Sequence, residues 1–183
     1  MSDESTLAFI GGGNMASALI GGLLARGWSA GGISVGDPDS RQRNELSRLF
    51  PGVSVEADNA VAATDRSTWI LAVKPQQLRE VVATLMASSR TRPSLVISVA
   101  AGIPADAIRH WLGGSVPVVR SMPNRPALLG AGVTGLFAGA DVSFRERDRA
   151  EAILQAVGAT VWVRDESQID AVTAVSGSGP AYF

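Results

Sequence analysis

The sequence predicts an α/β fold built on a doubly wound, mainly parallel sheet, and three observations support this prediction. Short apolar segments alternate with helical segments at least five times along the chain, which is the pattern of parallel strands joined by helical crossovers. A glycine-rich turn joins the first strand to the first helix. The 183 residues, 46% of them hydrophobic, suffice for one domain of ordinary size and a small additional piece.

The first strand–helix unit contains the most informative motif of the chain. Residues 7–10 form an apolar run typical of a buried strand, and residues 14–26 form a helix that a glycine terminates. Between them lies Gly11-x-Gly13-x-x-Ala16, the spacing of a dinucleotide-binding loop. Gly11 makes the tight turn, Gly13 lets a pyrophosphate approach the backbone, and Ala16 lets the helix lie close to the strand. The free N–H groups of the helix then point at the phosphates. The alternative is a glycine turn that binds no ligand.

The rest of the chain continues the alternation in order. Short runs rich in β-branched and apolar residues predict strands at residues 33–36, 53–55, 68–73, 95–99, 116–120, 132–137 and 161–163. Apolar residues at helical spacing predict helices at residues 41–50 and 76–87, a short helix or turn at 59–63, a helix beginning near Pro104, and a helix at 143–157. Ser143, with Glu146 three residues later, caps the last of these. Two prolines exclude regular structure from residues 122–126.

The loops that follow the strands hold the candidate binding residues, because ligands of doubly wound sheets bind beyond the carboxyl ends of the strands. Asp37 lies roughly 20 residues beyond the glycine loop, where an acid binds a ribose 2′-OH and favours NAD. Ser40 and Arg41 follow closely, and a hydroxyl with an arginine there holds a 2′-phosphate, which favours NADP. The alternative is that residues 37–39 are only a turn and a helix cap.

Two further positions contain residue types that bind anions. Lys74, the only lysine of the sequence, ends the central strand and could reach the phosphates or ribose of a cofactor; the alternative is a solvated lysine. Ser176 to Pro180 form a bend rich in backbone N–H groups and hydroxyls that could receive a carboxylate; the alternative is a kink between helices. We interpret Ser98 and His110 as structural.

Composition excludes several classes of function. The net charge of −1 gives no indication of nucleic-acid or anionic-membrane binding. Without cysteine there is no disulfide or thiolate chemistry, and a single histidine argues against a metal site. The polar, acidic N-terminus is unlike a signal peptide, and no apolar run is long enough to cross a membrane. We therefore expect a cytoplasmic protein.

Five motifs in this order and spacing resemble pyrroline-5-carboxylate reductases. They are FIGGGNMA at residues 9–16, AVKPQ at 72–76, SVAAGI at 98–103, MPNRPA at 122–127, and the segment 170–182 that contains SGSGP. The resemblance covers essentially the whole chain, and its last three motifs are not general features of nucleotide-binding sheets. It implies a Rossmann domain at residues 1–164, and at 165–183 the start of a helical, dimerising domain whose remainder is missing, in a family that forms homo-oligomers.

The resemblance also implies roles for individual residues. The expected contacts to NADP, with NAD as the alternative, come from Ile10, Gly11, Gly12, Gly13, Asn14, Met15, Asp37, Pro38, Asp39, Arg41, Asn59, Ala72, Val73, Lys74, Pro75, Ala100 and Ala101. Facing the nicotinamide we expect Met122, Pro123 and Asn124. The expected holders of the substrate carboxylate are Ser176, Gly177, Ser178 and Gly179. Arg125 stands where the family usually has threonine.

The reaction implied by the resemblance is hydride transfer from NAD(P)H to 1-pyrroline-5-carboxylate, which yields L-proline in the last step of proline biosynthesis. No side chain of the sequence is assigned as the proton donor, and no metal is expected. Two alternatives remain open. One is an NAD(P)-binding fragment without catalytic activity. The other is a small Rossmann reductase of the β-hydroxyacid dehydrogenase type, although no lysine follows on a later helix as a catalytic candidate.

Overall fold

The computed structural model describes residues 6–88 and 92–172, in which helices cover both faces of one sheet. The strands are β1 (Leu7–Ile10), β2 (Ile33–Gly36), β3 (Ser54–Glu56), β4 (Thr68–Leu71), β5 (Leu95–Ser98), β6 (Val118–Pro123), β7 (Gly132–Ala138) and β8 (Gly158–Trp162). The helices are α1 (Asn14–Ala25), α2 (Ser40–Leu49), α3 (Asn59–Ala63), α4 (Pro75–Ser88), α5 (Ala105–Trp111), α6 (Phe144–Leu154) and α7 (Ser167–Val172). Short 3-10 helices occupy Ala30–Gly32, Arg125–Leu129 and Gln155–Val157.

The strand order confirms the predicted doubly wound architecture. The order is β3-β2-β1-β4-β5-β6-β7-β8, and the first six of these strands are mutually parallel. From β1 to β3 successive strands are added toward one edge of the sheet, and from β4 onward they are added toward the other edge. The position between β1 and β4 is therefore the topological switch point, where a ligand of such a sheet binds. At the other end, β7 runs antiparallel to β6, and β8 runs parallel to β7.

Two separate apolar cores form because successive side chains of a strand point to opposite faces. In β1, Leu7 and Phe9 pack on one side with α1 and α6, whereas Ala8 and Ile10 pack on the other with α3, α4 and α5. All four side chains are fully buried. This burial on both faces explains why β1 is continuously apolar in sequence.

The prediction that residues 122–126 have no regular structure is wrong. Met122 and Pro123 are the last residues of β6 and pair with β7, and Pro126 lies in the 3-10 helix that follows. Pro123 is tolerated because it is the final residue of its strand, where a missing N–H interrupts no further ladder. Pro126 occupies the second position of its helix, where a backbone N–H has no intrahelical partner.

Element boundaries in the last third also differ from the prediction. The predicted helix at 143–157 is α6 followed by a 3-10 turn at Gln155–Val157, with Ser143 as its N-cap and the expected capping box with Glu146. The last strand begins at Gly158 rather than residue 161, because Gly158 lies against the backbone of Gly132 at the start of β7. The predicted strand at 116–120 is β6, which starts two residues later and runs further.

In the part of the chain that the structure describes, no helix combines the length and apolar composition needed for a membrane crossing.

Candidate functional site

The loops after the strands meet at one edge of the sheet, on both sides of the switch point. The N–H of Gly11 donates to the carbonyl oxygen of Gly36 at the end of β2, over 2.8 Å. The N–H of Ala72, just past β4, donates to the carbonyl oxygen of Ile10 over the same distance. The glycine loop therefore lies between the ends of β2 and β4, as the parallel register requires.

Within the glycine loop, Gly11 and Gly13 are restricted for different reasons. Gly11 has a φ of +96°, and a Cβ there would lie 2.9 Å from the carbonyl oxygen of Ala72 and 2.9 Å from Cγ1 of Val73. Gly13 is the N-cap of α1 in an extended conformation, and a Cβ there would meet nothing within 4 Å. Gly11 is thus required by the fold, whereas the space beside Gly13 is open.

The N-terminus of α1 opens onto that space. No side chain caps it, Gly13 and Asn14 are exposed, and Met15 is half-buried. The first N–H groups of a helix attract anions, because they lack intrahelical acceptors and lie at the positive end of the helix dipole. An uncapped helix end beside an open glycine is the arrangement that a pyrophosphate needs.

Asp37 connects two loops through backbone hydrogen bonds. Its Oδ2 accepts from the N–H of Gly12 over 2.8 Å, and its Oδ1 accepts from the N–H of Asp39 over 2.9 Å. Each carboxylate oxygen therefore already accepts one backbone N–H. Asp37 holds the glycine loop against the start of α2, a structural role that the ribose hypothesis for this residue did not include.

The start of α2 supplies the groups next to Asp37. Asp39 is the N-cap and accepts from the N–H of Arg41 over 2.8 Å, which agrees with the alternative interpretation of this segment as a turn and cap. Ser40 is the first residue of the helix, and both it and Arg41 are exposed. An exposed hydroxyl and guanidinium at a helix N-terminus suit a phosphate.

Two residues on α2 that hold the neighbouring loops were not predicted from the sequence. The Nε2 of Gln42 donates to the carbonyl oxygen of Gly12 over 2.7 Å. A guanidinium nitrogen of Arg43 donates to the carbonyl oxygens of Asp37 and Pro38 over 2.9 and 2.8 Å. Their position on the first turn of a helix that follows a binding loop was the sequence feature that could have identified them. Together they fix the backbone of the glycine loop and of the loop after β2.

Beside the loop after β2 lies a cavity of about 450 Å³ between α3 and α4. Asn59, at the start of α3, lines it, and its Oδ1 is buried without a hydrogen-bond partner among the described residues. This oxygen lies against Gly36 at the end of β2, so the cavity itself is bounded by the rest of Asn59. The cavity is lined by Pro38, Ala57, Asp58, Asn59, Ala60, Gln77, Glu80, Val81, Thr84 and Leu85.

The remaining candidate residues lie on the β4, β5 and β6 side of the switch point. Ala72, Val73 and Pro75 are half-buried, and Lys74 is exposed just before α4. After β5, Ala100 is buried and Ala101 is half-buried. Met122 is half-buried, Pro123 is buried, and the Oδ1 of half-buried Asn124 accepts from the N–H of Val133 over 3.0 Å. The expected substrate residues Ser176, Gly177, Ser178 and Gly179 lie outside the described residues.

The residues present fit a dinucleotide. The open glycine and uncapped helix suit the pyrophosphate, and the cavity beside the loop after β2 suits a nucleoside. Nothing comparable suggests a metal: residues 6–88 and 92–172 contain no cluster of three or more His, Asp or Glu side chains that could hold an ion.

Comparison with known proteins adds family relationships. A family described as NADP oxidoreductase, coenzyme F420-dependent, matches residues 6–102. Pyrroline-5-carboxylate reductase from Pseudomonas aeruginosa is 49% identical over 177 residues, which are 97% of this chain and 64% of that protein. A solved pyrroline-5-carboxylate reductase from Coxiella burnetii superposes with a TM-score of 0.91 at 40% identity, over 98% of this chain and 66% of that one. The NADP-bound Plasmodium falciparum enzyme shares the fold, with a TM-score of 0.79 at 24% identity over 97% of this chain and 64% of that one.

Proposed function

The chain belongs to the family described as NADP oxidoreductase, coenzyme F420-dependent. From its similarity to pyrroline-5-carboxylate reductases we propose that it is the cofactor-binding part of such a reductase. The chain spans 64% of the length of the Pseudomonas aeruginosa relative. One structural observation supports the cofactor assignment most directly: the space beside Gly13 is open, although Gly11 in the same loop is tightly packed. A glycine that the fold itself does not require is explained by a ligand that approaches its backbone.

We assign NADP as the preferred cofactor, with NAD as the alternative. The pyrophosphate would lie against Gly12, Gly13 and the first turn of α1. Asp37 is already bonded to two backbone N–H groups, whereas Ser40 and Arg41 are exposed at the start of α2. These two groups would take the 2′-phosphate, and the cavity beside Asn59 would take the adenine.

The nicotinamide half would then cross the switch point toward the ends of β4, β5 and β6. Lys74 would approach the phosphates, Ala100 and Ala101 would contact the second ribose, and Met122 to Asn124 would form the wall beside the ring. When bound, the reduced cofactor supplies a hydride to the imine carbon of 1-pyrroline-5-carboxylate. The contribution of this chain is to orient the two reactants and to exclude water between them.

We propose further that residues 165–183 begin a second, helical domain and that Ser176 to Gly179 hold the substrate carboxylate. In its complete form, the protein would act as a homo-oligomer in the cytoplasm. These assignments rest on the resemblance of the sequence to the reductase family. The 183-residue chain alone is expected to bind the cofactor but to reduce the imine poorly, because it spans about two thirds of its relatives.

The proposal is tested by titrating NADPH and NADH into the purified chain by calorimetry and by following oxidation of the reduced nicotinamide in the presence of the imine. We expect one cofactor per chain, tighter binding of NADPH than of NADH, and slow or absent turnover with proline as the product. If the chain binds neither NADPH nor NADH, the cofactor assignment is refuted. Turnover at the level of complete reductases, from a chain of verified mass, would show that the remaining third is dispensable.

A further inference from the structure

Arg120 is the one charged residue that is buried within the described parts of the chain. It lies in β6, between Val119 and Ser121, and only 2% of its side chain is exposed. Its two terminal nitrogens pair with carboxylates of the segment that follows β8. One contacts Oδ1 of Asp170 at 2.6 Å, and the other contacts Oε1 of Glu166 at 3.3 Å. A buried guanidinium is tolerated only when paired in this way.

Glu166 makes a second contact that extends this network to another element. Its Oε1 also accepts the N–H of Ala105, the first residue of α5, over 2.7 Å. α5 is the helix that follows the loop containing Ala100 and Ala101. Glu166 therefore connects the strand that ends in Met122 and Pro123 to the helix that begins just after the β5 loop, from a position 46 residues along the chain from Arg120.

Buried hydroxyls connect the same two strand ends more closely. The Oγ of Ser121 donates to the carbonyl oxygen of Ser98 over 2.8 Å, and the Oγ of Ser98 accepts the N–H of Ala100 over 3.3 Å. Both serines are essentially unexposed. Ser98 and Ser121 thus fix the ends of β5 and β6 relative to each other from within the sheet. Glu166, which lies in the segment after β8, adds a second connection between β6 and the start of α5.

The position of this network relates it to one half of the ligand. A dinucleotide bound across the switch point places its two nucleotides over the two halves of the sheet. The Asp37 loop follows β2, on the far side of the glycine loop from β5 and β6, and the Asn59 cavity lies between α3 and α4. Within residues 6–88 and 92–172, the side-chain hydrogen bonds and ion pairs of Glu166 and Arg120 join only each other, Ala105 and Asp170. Both residues therefore act on the half of the sheet that would receive the nicotinamide.

We propose that Glu166, held by Arg120, is a positioning residue for the nicotinamide half of the bound dinucleotide. It keeps the β5 loop and the end of β6 at the separation that the nicotinamide nucleotide requires. Through Glu166 and Asp170, the same network fixes the beginning of α7. This inference rests on the proposed function.

The experiment compares two ligands on Glu166→Ala and Glu166→Gln. NADPH probes both halves of the site, whereas 2′-phospho-ADP has the same 2′-phosphorylated adenosine and diphosphate but lacks the nicotinamide and its ribose. We expect Glu166→Ala to weaken NADPH by about fivefold or more and to leave the affinity for 2′-phospho-ADP unchanged. Glu166→Gln keeps an acceptor for Ala105 but loses the ion pair, so its effect on NADPH should be smaller. The fluorescence of bound NADPH should also shift in Glu166→Ala, because the surroundings of the ring change.

The matched control is Glu146→Ala, which removes another carboxylate that caps a helix, α6, and should alter neither affinity. Equal weakening of both ligands by Glu166→Ala would show a general scaffold role and overturn the inference, as would unchanged binding of both. If Glu166→Ala does not fold, Glu166→Gln decides by the same comparison. Wild-type protein that binds neither ligand would instead overturn the proposed function itself.

Discussion

Replacing Gly13 by valine separates the requirements of the ligand from those of the fold. The backbone of Gly13 has φ −65° and ψ −175°, an extended conformation that suits a β-branched residue. A Cβ there meets nothing within 4 Å, so no clash with the protein is introduced. The added side chain occupies the open space in which the pyrophosphate would lie. We therefore expect the fold to survive while cofactor binding is lost.

The magnitudes follow from the same geometry. Valine is a poorer N-cap than glycine, which costs about 0.5–1 kcal/mol of stability. For a domain of this size, such a loss lowers Tm by roughly 1–4 °C. Displacing the pyrophosphate should weaken NADPH at least about tenfold, which is about 1.4 kcal/mol. The larger effect thus falls on binding.

Two glycines serve as matched controls. Gly31 lies just before the start of β2, at the edge of the sheet opposite the glycine loop. In Gly31→Val the added Cβ would have only the Oγ of Ser29 within 4 Å, at 3.8 Å. This variant should leave the affinity unchanged. Gly11→Ala forces a side chain into a φ of +96° against Ala72, so it should destabilise the fold as well. Calorimetric titration of NADPH and thermal unfolding of all three variants provide the measurements. Wild-type affinity in Gly13→Val would refute the assignment of the glycine loop.

Three further outcomes are expected. Arg41→Ala should weaken NADPH about tenfold and NADH less than about twofold, whereas Arg48→Ala at the other end of α2 should change neither in the same titration; equal losses would remove Arg41 from the 2′-phosphate site. Gly22→Ala should cost about 1–3 kcal/mol in urea unfolding, because a Cβ there overlaps the backbone carbonyl of the 3-10 turn after α6. Gly21→Ala has its nearest neighbour at 3.5 Å and should be neutral or stabilising, so identical effects would disprove this packing. Asp37→Ala should lower the free energy of unfolding by about 1–3 kcal/mol, since two backbone N–H groups lose their acceptor; unchanged stability would contradict its role between the loops.

The sequence allowed prediction of those parts of the fold that depend on local pattern. The glycine loop between β1 and α1, the alternating strands and helices, and the capping box of Ser143 all have short-range signals. The direction of β7 has none, because it is decided by pairing with β6 across the sheet. Pro123 was interpreted as a strand breaker, since its place at the last residue of β6 becomes harmless only once the ladder is known.

At the candidate site, the limits of prediction have the same origin. Asp37 was identified as a binding residue from its distance to the glycine loop, but its two backbone hydrogen bonds require the three-dimensional arrangement. Arg120 was placed at the end of a strand without a role, although a charge beside Val118 and Val119 was a usable signal of a buried pair. Its partners are 46 and 50 residues away, a separation that no local pattern reveals.

The antiparallel return from β6 to β7 has a consequence for how this protein could change. Parallel strands need a crossover of a dozen or more residues, whereas antiparallel neighbours can be joined by a short connection. Residues 124–131 are such a connection, they begin at the site edge, and Leu128 and Leu129 lie on their exposed side. Replacements at Leu128 and Leu129 would alter the surface beside the end of β6 without rethreading any strand, whereas Ala127 in the same connection is buried and packed against Gly132. Variation at this edge of the sheet is thus confined to the exposed residues of the connection.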